Sequence, residues 1–129
     1  MNITLPLDYK KPDLPMGKAW IDALRSGNYK QGRDYLVSIL DSEHKSYCCL
    51  GVLCNLQDRL VNNMDNNETT YYLSDSNPLV EVFGASGEFP QGVVVNDENP
   101  RLNTLAKLND AGYSFEDIAT AIETIWNPL

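Results

Sequence analysis

At 129 residues the chain is sized for one domain, since domains commonly run about 100–150 residues, and its 43% hydrophobic content supports a core rather than disorder. The net charge of −8 is unevenly spread: residues 1–59 hold 8 Lys/Arg against 7 Asp/Glu, and residues 60–129 hold 2 against 11. An acidic second half opposes nucleic-acid binding, and no apolar run reaches the roughly 18 residues of a membrane span, so neither DNA nor membrane is an expected partner.

Residues 1–14, with Pro6 and Pro12, read as an extended arm ahead of a single domain over 15–129. The first ten residues have neither a basic start nor an apolar core, which predicts no signal peptide and a cytosolic location. Asp13 is placed to cap a helix beginning near Pro15. Met16, Trp20 and Leu24 form its apolar stripe, Lys18, Asp22 and Arg25 recur on another face, and Gly27 is a natural left-handed terminator.

Residues 35–40 and 46–48 are strand candidates around the polar turn 41–45. A helix is predicted from Cys49 to Leu60, where Cys49, Val52, Leu53, Leu56 and Leu60 recur at helical spacing. Gly51 lies inside it on no apolar face. A mid-helix glycine costs about 1 kcal/mol against alanine, which points to close approach by another backbone. Residues 61–70 read as a loop, 69–73 as a strand, 76–83 as a short helix ended by Gly84, 85–91 as a loop and 92–95 as a buried strand.

The clearest local signal is C-terminal. Asn99-Pro100 is read as the start of a helix carrying Leu102, Leu105 and Leu108, and Gly112 with Tyr113 fits a Schellman ending. Ser114 then caps a second helix whose apolar face is Phe115, Ile118, Ala119, Ile122 and Ile125. The expected fold class is α+β: helices on a small, mostly antiparallel sheet, with a C-terminal helical hairpin. That hairpin is expected to pack on the first helix through Trp20, Leu24, Ile118 and Ile122, with the cysteine-bearing helix at the centre.

Most chemical constellations have plainer explanations. The hairpin has leucines, Gly and Ser spaced as in resolvase-type DNA readers, but only residues 127–129 follow Trp126, and acidic side chains dominate it. His44, Cys48, Cys49 and Cys54 lack zinc-ligand spacing and read as core residues with one polar-turn histidine. An odd cysteine count argues against a disulfide framework. With a single histidine, nothing completes a nucleophilic relay. No metal or cofactor is expected.

The remaining candidate is a basic segment in an acidic chain. Its residues are Trp20, Arg25, Ser26, Gly27, Tyr29, Lys30, Gln31, Gly32 and Arg33. Arginine suits bidentate phosphate contacts, glycine leaves backbone N–H groups approachable, and Trp20 or Tyr29 offers a stacking face. Arg25, Lys30 and Arg33 are the expected anion contacts.

Three segments together resemble a family of small uncharacterised proteins encoded by phages and mobile elements. They are Trp20-Ile-Asp-Ala-Leu-Arg-Ser-Gly-Asn-Tyr-Lys-Gln-Gly32, Tyr47-Cys-Cys-Leu-Gly-Val-Leu-Cys54, and the run from Leu105-Ala-Lys-Leu-Asn-Asp-Ala-Gly-Tyr-Ser-Phe to Glu123. Residues 61–98 carry no comparable signature. The resemblance implies a viral origin and a host-cytoplasm location, and no mechanism. By analogy with phage accessory proteins that counter host defences, the expected function is non-enzymatic binding, with sequestration of a nucleotide or other anionic signal. The alternatives are an acidic module engaging a host protein and a small enzyme acting on a nucleotide. A homo-oligomer is compatible with the sequence, and a sponge could place its site between subunits.

Overall fold

The computed structural model describes residues 2–41, 44–57, 60–63, 69–73, 87–95 and 101–129. In chain order these form β1 (Ile3–Thr4), β2 (Asp13–Leu14), α1 (Gly17–Arg25), β3 (Val37–Asp41), β4 (His44–Tyr47), α2 (Cys49–Leu56), β5 (Leu60–Asn63), β6 (Thr69–Leu73), β7 (Val94–Val95), α3 (Leu105–Asp110), α4 (Phe115–Ile125) and β8 (Asn127–Pro128). The helix expected over 76–83 lies outside the described residues.

Helix α1 begins two residues later than expected, and Asp13 does not cap it. Met16, at φ 62°, is the N-cap and offers no side-chain hydrogen bond. The chain's other end substitutes: Lys18 N donates to Leu129 O at 3.1 Å. Asp13 instead lies in β2, parallel to β8, and accepts from Asn127 Nδ2 at 2.8 Å. This pairing turns Met16 away from the core, and it is 37% exposed rather than part of the buried stripe. Trp20 and Leu24 are buried as their spacing requires, and Gly27 ends the helix at φ 77°.

Helix α2 is apolar through its first six residues, as a segment enclosed by protein must be, and opens to solvent at Asn55. Residues from Cys49 to Cys54 are all buried. Cys48 caps it, its sulfur accepting from Gly51 N. A Cβ on Gly51 would overlap the Leu36 carbonyl oxygen, so the glycine answers to a backbone approach. The helix stops at Leu56, short of the expected Leu60, which instead opens β5.

Strands run in the order β4-β3-β6-β5, every pair antiparallel, with a register shift between Ile39 and Asp41. Residues 61–63, expected in a loop, are therefore strand. Polar residues such as Asn62 and Asn63 are carried there by pairing with Tyr71 and Thr70. The arm is paired rather than loose: β1 lies antiparallel to β7, and Tyr9 Oη donates to Ile125 O at 2.7 Å.

The C-terminal hairpin forms with one correction. Thr104 caps α3, accepting from Lys107 N, and Leu102 precedes the helix, while the expected start at Asn99-Pro100 lies outside the described residues. Tyr113 N donates to Leu108 O and Gly112 N to Asn109 O around Gly112 at φ 99°, the Schellman pair. Ser114 then accepts from Asp117 N to start α4. The hairpin packs on α1 and α2, and Trp20, Val52, Leu105, Leu108, Ile118 and Ile122 form the centre of the core. The architecture is α+β, with α2 joining the helical layer to the antiparallel sheet.

Candidate functional site

The buried focus of the fold is Asn109. Its position follows from helical spacing: Leu105, Leu108 and Asn109 share one face of α3, and all three are fully buried. A bare amide there would lose a few kcal/mol, so its hydrogen bonds must be made inside the protein. Its Oδ1 accepts from Gln31 Nε2 at 2.9 Å and from Cys49 N at 3.2 Å, and its Nδ2 donates to Gly32 O at 2.7 Å. Gln31 is equally committed. Its Nε2 also donates to Tyr113 O at 2.7 Å, and its Oε1 accepts from Phe115 N at 3.1 Å. The three segments that carry the family resemblance thus meet at one polar junction.

That junction fixes the backbone of the basic segment. Tyr47 N donates to Lys30 O and Gly32 N to Tyr47 O, both at 2.8 Å. Asp34, at φ 70°, donates its N–H to Asp110 Oδ1 at 2.9 Å, and Leu36 O accepts from Cys48 N at 3.1 Å. Anchors therefore recur along the whole stretch from 30 to 36.

The candidate side chains divide into two groups. Trp20 is fully buried, and its Nε1 donates to Cys49 O at 2.9 Å, so it offers no stacking face. Arg25 reaches across to α4, where it pairs with Glu116 at 3.2 Å and with Glu123, and donates to Thr120 Oγ1. The two carboxylates keep the guanidinium charged, while Arg25 holds the Glu123 carboxyl below its ordinary pKa chiefly through their hydrogen bond. Ser26 Oγ donates to Ala23 O and accepts from Asn28 N, closing the helix end. Tyr29 sets its ring edge-on to Tyr47 at 4.9 Å, and its hydroxyl accepts from Asn55 Nδ2. Gln31 and Gly32 belong to the junction.

Lys30 and Arg33 form the second group. Both are exposed, and neither makes an ion pair among the described residues. The Arg33 guanidinium extends toward the α3–α4 turn, its Nη2 lying 3.2 Å from where a Cβ on Gly112 would stand. Gly27 faces open space. Sequence reasoning missed Asn109, Asp110 and Tyr113. The available signal was Asn109 itself, an amide at an apolar position of α3.

Cys49 enters this site through its backbone N–H, and the thiols of Cys48 and Cys49 are not activated. Burial pushes the Cys48 thiol up to about 11, against the pull of the Gly51 N–H, and lifts Cys49 well above its ordinary range. Neither is a thiolate at neutral pH, so neither is an activated nucleophile or a ready ligand. Among the described residues no three His, Cys, Asp or Glu side chains gather as a metal site would require. No described helix is long and apolar enough to cross a membrane. A separate groove of about 570 Å³ lies between residues 88–93 and 103–107, where Lys107 Nζ donates to Asn103 Oδ1 at 2.9 Å.

No curated protein and no solved structure matches the chain. A family model does, over residues 15–126, a span that contains all three converging segments and excludes the arm. The chain belongs to the family described as the domain of unknown function DUF8296.

Proposed function

We propose that this protein is a non-enzymatic binding protein that holds a small anionic ligand on the segment 27–33, with Lys30 and Arg33 as its cations. The observation that carries the reading is the division among the basic side chains. Arg25 is neutralised by two carboxylates, whereas Lys30 and Arg33 are exposed and make no ion pair among the described residues, on a backbone anchored by Asn109. In a chain of net charge −8, two unpaired cations on a fixed loop are a local departure from the overall field. Charge-assisted hydrogen bonds contribute about 1.5–3 kcal/mol each, and a pre-ordered loop adds little entropy loss on binding.

The resemblance to phage and mobile-element proteins supports a setting in the host cytoplasm, with a nucleotide signal of host defence as the ligand. Native mass spectrometry of protein purified from infected cells tests this. A retained anionic small molecule is expected on the wild type and is absent from the variant carrying Lys30→Ala and Arg33→Ala. Apo protein in both preparations, or the same adduct on both, contradicts the reading.

A further inference from the structure

We propose that Tyr35 is the stacking residue of this site and that its ligand is therefore a planar anion, a nucleoside phosphate, rather than a bare phosphate or carboxylate. The inference rests on the anion-binding reading above and adds the residue that recognises the base, which separates a nucleotide from a bare anion.

The two aromatic side chains within the basic segment are both engaged. Trp20 has no exposed surface, and its indole N–H is bonded to Cys49 O. Tyr29 is half-buried between Asn55 and the Tyr47 ring. Tyr35 lies two residues beyond Arg33 and is 44% exposed, one of five large hydrophobic side chains open to solvent among the described residues. It precedes β3, so no strand pairing accounts for it.

The backbone on both sides of Tyr35 is fixed. Asp34 N is held by Asp110 Oδ1, and Leu36 O by Cys48 N, while the Leu36 carbonyl is packed against Gly51. A tyrosine has only two side-chain torsions, so a ring on an anchored backbone loses little freedom when a base stacks on it. An exposed aromatic two residues along the chain from Arg33 and five from Lys30, cations that make no ion pair among the described residues, is the combination used for nucleic-acid components: cations take the phosphate and the ring takes the base.

Titration calorimetry on the full chain at low salt separates the two levels. The probes are purine mono- and triphosphates and a cyclic purine dinucleotide, against inorganic phosphate and tripolyphosphate. The wild type is expected to bind at least one nucleotide tighter than either inorganic anion. Tyr35→Ala loses roughly 5- to 150-fold for the nucleotide and leaves the inorganic anions unchanged, and Tyr35→Phe retains the preference. Lys30→Ala with Arg33→Ala weakens all probes. If Tyr35→Ala keeps the nucleotide preference, or the wild type shows none while still binding the inorganic anions, the assignment of Tyr35 falls and anion binding stands. If no probe binds the wild type, both fall. Thermal melts matched to the wild type confirm that the Tyr35 variants are folded.

Discussion

Gln31 and Asn109 exchange a side-chain hydrogen bond of 2.9 Å across 78 positions of sequence. Each amide reaches a third segment as well, Asn109 to Cys49 N and Gln31 to Phe115 N. The pair therefore joins the end of the basic segment, the start of α2 and the turn between α3 and α4. It is first a structural device, and its consequence for function is that the loop bearing Lys30 and Arg33 has a defined course.

Asn109→Ala removes partners from Gly32 O, Cys49 N and Gln31 at once. Unsatisfied buried polar groups cost about 1–3 kcal/mol each, incompletely additive, so a loss of about 2–4 kcal/mol is expected. Urea unfolding followed by tryptophan fluorescence measures it. A loss under about 0.5 kcal/mol would mean the amide is dispensable.

Gly51→Ala is expected to destabilise by about 2–3 kcal/mol, although alanine is the better helix former by about 1 kcal/mol, because the new methyl meets the Leu36 carbonyl. Gly27→Ala is the contrast. Nothing stands within 4 Å of its Cβ position, so only its φ of 77° penalises the change, by about 1 kcal/mol. Thermal melts of the two variants that ranked them the other way would contradict the close approach.

Arg25 and Glu123 are a surface pair, and their link is expected to contribute only about 0.5–1 kcal/mol, less at high salt. The folded pKa of Glu123 lies below its ordinary 4.5, so the contribution is fully present at neutral pH. It is lost as pH falls from that ordinary value through the lowered folded one. Stability of wild type and Arg25→Ala, compared between pH 7 and pH 3, is expected to converge toward the acid end. A constant gap across the range would show that Arg25 acts through packing instead.

All three cysteines are expected to resist alkylation in the native state at neutral pH and to react rapidly in denaturant. Cys49 and Cys54 have no exposed surface, and Cys48 is held protonated by burial. Intact-mass analysis after iodoacetamide treatment counts the modified thiols. Fast native labelling of Cys48 would revive it as a nucleophile.

Features whose cause lies within a few residues were legible in sequence. The Gly112-Tyr113-Ser114 junction carries its own Schellman bonds and cap, and the buried faces of α1 and α4 follow from spacing. Gly51 was legible as an anomaly, without the identity of Leu36. Features decided by distant segments were not. Asp13 has the chemistry of a helix cap, but β8 claims it, and Leu129 supplies the contact that α1 lacks. The partners of Arg25 lie 91 and 98 positions away on α4, whereas the helical spacing places only Lys18 and Asp22 on its face of α1. Trp20 illustrates the same limit at the candidate site. Its position on the apolar stripe predicts burial, its place in the basic segment suggests stacking, and the Cys49 carbonyl decides between them.

The most direct test of the account compares nucleotide binding by the wild type, Arg25→Ala and the variant carrying Lys30→Ala with Arg33→Ala, using titration calorimetry at low and moderate salt. Binding to the wild type is expected to weaken with salt, to fall at least tenfold in the double variant, and to change little in Arg25→Ala, whose cation is already engaged. Equal affinity in the wild type and the double variant, or a loss confined to Arg25→Ala, would contradict the assignment of Lys30 and Arg33 as the anion contacts.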